Sequence, residues 1–433
     1  MSHFITLTME SIVKELKVSK MAENLVGSEI IKLAGEIKAK IAQGEHIYNF
    51  TIGDFNPEIF PIPEVLKTEI INAYQNNITN YPASNGMEEL RNSVSEYLTE
   101  FLKLTYSPND ILIAGGARPL IYAVYQALVD PNDTVVFPVP SWNNNHYTHL
   151  SHGKQVFVET LPENNFMPTA DDFKETIKDA TLIALCSPLN PTGTVFSKAQ
   201  LSSICEMVLE ENNRRSEDEK PLYIIYDQIY WQLTYGETEH FNPVSLYPEM
   251  RDYTIFIDGI SKAYAATGVR VGWAFGPNKI ISKMKSILGH VGAWAPKAEQ
   301  IATGKFLDNS EACVNYLDWI KTEAYNRLIG FYNGIQTLKS EGYSVDAISP
   351  QAAIYLTIKF DLKGLKTDNG QVLNTTKDVT AYLLDEAKLA VVPFYAFGAN
   401  EESPWYRLSV GTASLDDVDG TLSNLKAALL KLS

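Results

Sequence analysis

Lys262 lies in the stretch Asp258-Gly-Ile-Ser-Lys-Ala-Tyr-Ala-Ala-Thr-Gly-Val-Arg270, just after the apolar run Tyr253–Ile257. Such a run reads as a buried strand. An amine at its mouth, beside Gly259 and Ser261 and eight residues before Arg270, suits imine formation with an aldehyde better than a solvated charge. Only the neutral amine attacks a carbonyl, and desolvation beside other cations releases its proton more readily. Two further groups fall at strand ends. Ser187-Pro-Leu-Asn-Pro-Thr-Gly193 follows a strand candidate ending at Cys186, and Asp227-Gln-Ile-Tyr230 closes the run Tyr223–Tyr226. Ligands of open parallel sheets bind outside the carboxyl ends of the strands. An amide, a carboxylate, a phenol and an amine are therefore expected around one cleft. Taken singly, each has an ordinary reading: Asp227 as a helix N-cap, Asn190 and Gly193 as turn residues, and Tyr230 as one core aromatic among 23 tyrosines.

The elements that must position these groups follow from periodicity. The first 45 or so residues read as helical, on the apolar spacing Ile30, Leu33, Ala34, Ile37, Ile41. The extended stretch His46–Ile52 then enters the turn cluster Gly53–Pro57. Strand candidates follow at Ile111–Ala114, Val135–Pro138, Leu182–Ser187, Tyr223–Asp227, Tyr253–Ile257 and Val271–Phe275, alternating with helical patterns. Near-continuous apolar strands between helices predict a mostly parallel sheet covered on both faces. A long helix is predicted over Cys313–Lys339, then sparser strands at Ala353–Ile358, Ala390–Val392 and Tyr406–Val410 and a terminal helix, an α+β arrangement. The expected division is an arm and helix over 1–60, a large unit over 61–305 and a smaller one over 306–433. The charged run Glu210–Lys220 reads as a solvated helix end and loop.

Composition narrows the function classes. With 433 residues and 45% hydrophobic content a large core is available. A formal charge of -16 argues against nucleic acid or an anionic membrane as partner. Cys186, Cys205 and Cys313 are too few and scattered for a disulfide framework or a zinc site. No span is apolar enough to cross a membrane and no secretory signal is evident, so a soluble, cytoplasmic protein is expected.

Asn190-Pro-Thr-Gly193, Asp227-x-x-Tyr230, Ser261-Lys262 with Arg270, and Arg407-Leu-Ser-Val-Gly411 stand in a fixed order, joined by Gly53, Tyr81-Pro-Ala-Ser-Asn-Gly86 and Pro140-Ser-Trp142. That ordered set resembles the class I/II aminotransferases, fold type I enzymes that use pyridoxal 5'-phosphate, over nearly the whole chain. The resemblance implies an α/β fold: a large domain with a mostly parallel seven-stranded sheet between helices, plus a smaller α+β domain. It implies that Lys262 holds the cofactor as an imine and then shuttles a proton. Asp227 would pair with the pyridine nitrogen, and Asn190 and Tyr230 with the ring oxygen. Trp142 would stack on the ring. Arg270, the backbone N–H groups of Ala117 and Arg118 after Gly116, Ser261, and Tyr81 from a neighbouring subunit would surround the phosphate. Arg407 would grip the substrate carboxylate with two donors, Gly53 letting backbone approach it. A homodimer with sites at the subunit boundary is implied, with an amino acid and a 2-oxo acid as substrates.

The chain also departs from the family pattern. Ala117 replaces the usual hydroxyl after the glycines, leaving Arg118 to add charge or point away. Gln228 follows Asp227 where an acid is common. Trp294 or Lys297 stands where a small polar segment is usual beside the partner's site, and His146 reads as structural. The Asn190–Pro191 bond is expected to be cis. Alternatives are another reaction on the same scaffold, such as β- or γ-elimination or cyclopropane formation, and a regulatory domain that binds the cofactor without turnover.

Overall fold

The structure is a computed structural model that describes residues 17–25, 27 and 29–433. The first sixteen residues of the helical N-terminal expectation lie outside the described residues. Within them, a short helix Lys20–Glu23 precedes helix α1 (Glu29–Ala42), where the expected apolar spacing falls.

Seven strands form the large sheet: β1 (Ile111–Ala114), β2 (Thr134–Val139), β3 (Lys154–Glu159), β4 (Ala180–Cys186), β5 (Tyr223–Asp227), β6 (Thr254–Gly259) and β7 (Gly272–Phe275). Their spatial order is β1-β7-β6-β5-β4-β2-β3. β7 runs antiparallel to both its neighbours and the other pairs are parallel. Alternate residues of β4 show why these strands read as unbroken apolar runs. Ile183 and Leu185 enter one buried cluster, while Leu182 and Ala184 enter another on the opposite face. β3, absent from the candidates read in the sequence, is the exception. Only Val158 of its six residues is fully buried, because it forms the sheet edge.

A four-stranded antiparallel sheet follows, from β8 (Val345–Ala347), β9 (Tyr355–Phe360), β10 (Val392–Pro393) and β11 (Trp405–Ser409), in the order β10-β11-β9-β8. The long helix spans Ser310–Ser340 and its inner face packs Phe331, Leu328 and Ile335 against this sheet's core. Phe50, Phe55 and Phe60 from the N-terminal arm share that core. Tyr48–Asn49 also pairs in parallel with Leu389–Ala390, binding the arm to the last third of the chain.

Two sequence expectations need correction. The charged run 210–220 is not simply solvated: Glu211 is buried, bonded to Arg214 and Arg215, and Lys220 bridges Asp130 and Asp133. Its charges fasten the end of helix Lys198–Arg214 to the loops beneath the sheet. Asn190–Pro191 is not cis; the cis bonds among the described residues are Val139–Pro140 and Ser187–Pro188. The loop reverses at Pro188, and the turn carrying Asn190 is closed by Leu189 N to Thr194 O and Gly193 N to Leu189 O, both 2.8 Å.

Candidate active site

A cavity of roughly 470 Å³ opens at the carboxyl ends of β4 and β5, floored by the large sheet and roofed by residues of the arm and the small sheet. Its lining joins Gly53, Ala117, Arg118, Trp142, Asn190, Asp227, Tyr230, Ser261, Lys262, Arg270 and Arg407, eleven residues expected from sequence. They converge because each sits just past a strand or in a turn that re-enters one. β4 ends at Cys186, and the turn after it presents Asn190. β5 ends at Asp227, and Ile229 N donates to Asp227 Oδ1 at 3.1 Å, folding the chain so that Tyr230 enters the cavity. β6 ends at Gly259, and one helical turn, Ile260–Ala263, carries Lys262.

Lys262 Nζ donates to the carbonyl of Gly53 at 2.7 Å. Its pKa is lowered to about 8, first by desolvation and then by the cations Arg407, Arg118 and Arg270, with Asp54 opposing. Asp227 is raised to about 6 by burial, which outweighs the Ile229 hydrogen bond and the Lys262 charge. Both side chains line an open cavity and are half-buried, yet the protein packed behind them is dense enough for desolvation to dominate. The Cys186 thiol beside Asp227 is held un-ionised by burial.

At the other end, helix α2 (Ala117–Leu128) starts after Gly116, an N-cap that offers no side-chain hydrogen bond. Gly116 has φ +93°, and a Cβ there would lie 2.3 Å from Arg270 Nη2. Arg270 donates to Thr267 O and Gly115 O at 2.7 and 2.8 Å, fixing its guanidinium over this helix end. Free N–H groups and a guanidinium together make an anion cradle.

Arg407 is buried. Its Nη1 donates to Asn190 Oδ1 at 2.9 Å and its Nη2 to Thr51 O at 2.7 Å, while Nε is buried without a partner. Asn190 thus accepts from Arg407, which leaves its amide nitrogen to donate elsewhere. Arg118 settles the question left by the sequence: its guanidinium lies 5.5 Å from the centroid of the Trp142 ring, over the cavity.

Three of the residues singled out lie outside the lining of this chain's cavity. Tyr81 is 82% exposed and does not line this chain's cavity; it meets Trp294 edge-on at 5.5 Å. Lys297 Nζ donates to Asn80 Oδ1 at 2.8 Å, away from the cavity. Gly116 shapes the cradle from behind its lining. Sequence reading missed Tyr355, which lines the cavity and shares a 2.5 Å contact with Tyr230. Its position at the head of an apolar strand made it look like core.

Among known proteins, the sequence profile of the family described as aminotransferase class I and II matches residues 45–422. Aspartate aminotransferases of Bacillus sp. (strain YM-2) and Bacillus subtilis (strain 168) are each 29% identical, over 89% and 96% of this chain and 93% and 100% of theirs. The crystal structure of the Rhizobium meliloti aspartate aminotransferase superposes with a TM-score of 0.89 at 26% identity, covering 97% of this chain and all of that one. An aspartate aminotransferase from Thermus thermophilus gives 0.83 at 26% identity, over 96% of this chain and all of its own. Order of motifs, fold and profile agree, and the chain belongs to the class I and II aminotransferases, enzymes that depend on pyridoxal phosphate.

Proposed function

We propose that Lys262 holds pyridoxal phosphate in this cavity and that the chain moves an amino group from an acidic L-amino acid to a 2-oxo acid. The observation that carries this reading is a desolvated amine, lowered to about 8, in one cavity with a carboxylate that has no hydrogen-bonded cation among the described residues. The residues fit the cofactor on two further counts. Gly116 leaves room where a Cβ would strike Arg270, and a helix end with no side-chain cap faces that guanidinium.

The chemistry that bound pyridoxal phosphate supplies is an aldehyde carbon for an amine and a ring that withdraws electrons from the substrate α-carbon. Asp227 would accept a hydrogen bond from the protonated pyridine nitrogen, a cation that would draw the carboxylate's raised pKa back down. Asn190 and Tyr230 would donate toward the ring oxygen, and Trp142 would cover the ring. Arg270 and the N–H groups of Ala117 and Arg118 bind the phosphate, with Ser261 beside them. Arg407 would bind the substrate carboxylate through the Nη hydrogens that Asn190 and Thr51 leave free. Lys262 Nζ, whose proton is loosened by desolvation, would take the proton from the substrate α-carbon and deliver it to the former aldehyde carbon of the cofactor. The acidic donor is supported by the names of the relatives and by Arg118, which has no acidic partner among the described residues.

The same reading groups the arm, 1–60, with the unit 306–433 around the core shared by Phe50 and Phe331, leaving 61–305 to hold the cofactor. It also makes the molecule a homodimer, supported by the exposure of Tyr81 beside Trp294. No helix among the described residues is long and apolar enough to cross a membrane, and a cytoplasmic location is part of the proposal.

Single-turnover mixing of the purified, cofactor-loaded protein with a panel of amino acids tests the function. Aspartate or glutamate should bleach the visible absorbance and yield the matching oxo acid, with recovery on adding 2-oxo acid. Release of ammonia from a single amino acid without any acceptor would instead establish an elimination enzyme.

A further inference from the structure

Tyr355 and Tyr230 are both buried, and their hydroxyl oxygens lie 2.5 Å apart. Each phenol carries one hydrogen, so one of the pair donates to the other and the second hydrogen is free. Tyr230 is the phenol beside the amine, its ring 5.6 Å from Lys262 Nζ. The Tyr355 oxygen is instead wedged against the backbone, where a Cβ on Gly53 would lie 2.8 Å from it. Tyr355 opposes Ser409 in the antiparallel pair β9–β11, two residues from the Thr357–Arg407 pairing, which puts Tyr355 and Arg407 on the same sheet face. The Arg407 guanidinium accordingly rests 4.7 Å from the Tyr355 ring centroid.

We propose that Tyr355 is a positioning residue that donates its hydroxyl hydrogen to Tyr230, freeing the Tyr230 hydrogen to point at the ring oxygen of the cofactor, while its ring supports the carboxylate-binding Arg407. This rests on the cofactor assignment above and deepens it. Donation into Tyr230 polarises that phenol and makes it the stronger donor, since hydrogen bonds in a chain reinforce one another. A stronger donor stabilises negative charge on the ring oxygen and so disfavours protonation of the neighbouring nitrogen at Lys262. Tyr355 also ties the two ends of the site together, because movement of its ring displaces both Tyr230 and Arg407.

The test is a pH titration of the visible absorbance of the cofactor-loaded protein without substrate. Tyr355→Phe keeps the ring and removes the hydroxyl. Its midpoint should rise by about half a unit, the scale of one weakened hydrogen bond, with unchanged cofactor stoichiometry and melting temperature. In a Tyr230→Phe background the same substitution should move the midpoint no further, since the hydroxyl acts only through Tyr230. If Tyr355→Phe does not fold, difluorotyrosine placed at 355, a stronger donor, should lower the midpoint. An unmoved midpoint in the folded variant, or an equal shift without the Tyr230 hydroxyl, overturns the proposal. Failure of the parent protein to take up pyridoxal phosphate at all would sink the cofactor assignment instead, and is seen before any variant is made.

Discussion

At the scale of single residues, the site is a set of charges held where water solvates them poorly. Lys262 has a folded pKa of about 8, below the ~10.4 of an unfolded lysine. Between those values the folded apo-protein binds fewer protons than the unfolded chain, so this group makes stability rise with pH there. Below pH 8 its unfavourable contribution is fully present. Lys262→Met should therefore stabilise the apo-protein at pH 7 by on the order of 1–2 kcal/mol, discounted for half-burial and for the lost Gly53 bond, and the gain should vanish toward pH 10.5. Denaturant melts at several pH values would check this. The same variant should fold without colour and lose turnover, since no amine remains to hold the aldehyde; substantial activity would contradict the role of Lys262. Arg407→Lys should raise KM for both substrates by roughly 10- to 100-fold, because lysine cannot keep the Asn190 and Thr51 bonds and still face a carboxylate with two donors. An unchanged KM would place the carboxylate elsewhere.

At the scale of elements, turns decide where the reactive groups point. Gly116 combines φ +93° with a Cβ position 2.3 Å from Arg270 Nη2. Gly116→Ala should weaken cofactor binding at least tenfold and cost about 1–3 kcal/mol of stability through backbone strain. Equilibrium dialysis of pyridoxal phosphate, paired with thermal melts, separates the two effects. Elements of this kind were legible in the sequence where both faces of a strand are buried. β4 and β5 read as apolar runs because helices cover each side, and the polar residues after them stood out by contrast. β3 was not legible, since at the sheet edge it buries only Val158 fully and its pattern matches neither an alternating nor a continuous strand. Tyr355 was hidden for the opposite reason: a phenol at the head of an apolar strand looks like core until its oxygen is seen to meet Tyr230. The direction of Arg118 could not be read either, because only the three-dimensional fold brings Trp142 beneath its guanidinium.

At the scale of the whole molecule, one residue singled out by the sequence, Tyr81, lies outside the cavity of its own chain. Tyr81 is 82% exposed and meets Trp294 edge-on, and Ile71 and Tyr74 of the preceding helix Glu64–Gln75 are exposed as well. Exposed aromatics grouped in this way mark an association surface. In a two-fold dimer the same patch serves both subunits, so a residue that reaches out of one chain reaches into the other. Sedimentation should find twice the mass of one chain, but mass alone does not say which site Tyr81 serves. Mixed dimers do. Tyr81→Ala should weaken cofactor binding by roughly tenfold or more, as expected for losing one hydrogen bond to a charged group. Lys262→Ala should prevent the covalent attachment altogether. When the two variants are refolded together, a mixed dimer holds one site with Lys262 from the first chain and an intact Tyr81 from the second. If Tyr81 acts across the boundary, that site should bind at parental affinity and the mixture should regain close to a quarter of parental capacity, since half the dimers are mixed and each restores one of two sites. If Tyr81 acts within its own chain, every Lys262-bearing site in the mixture keeps the weakened affinity, and mixing restores nothing.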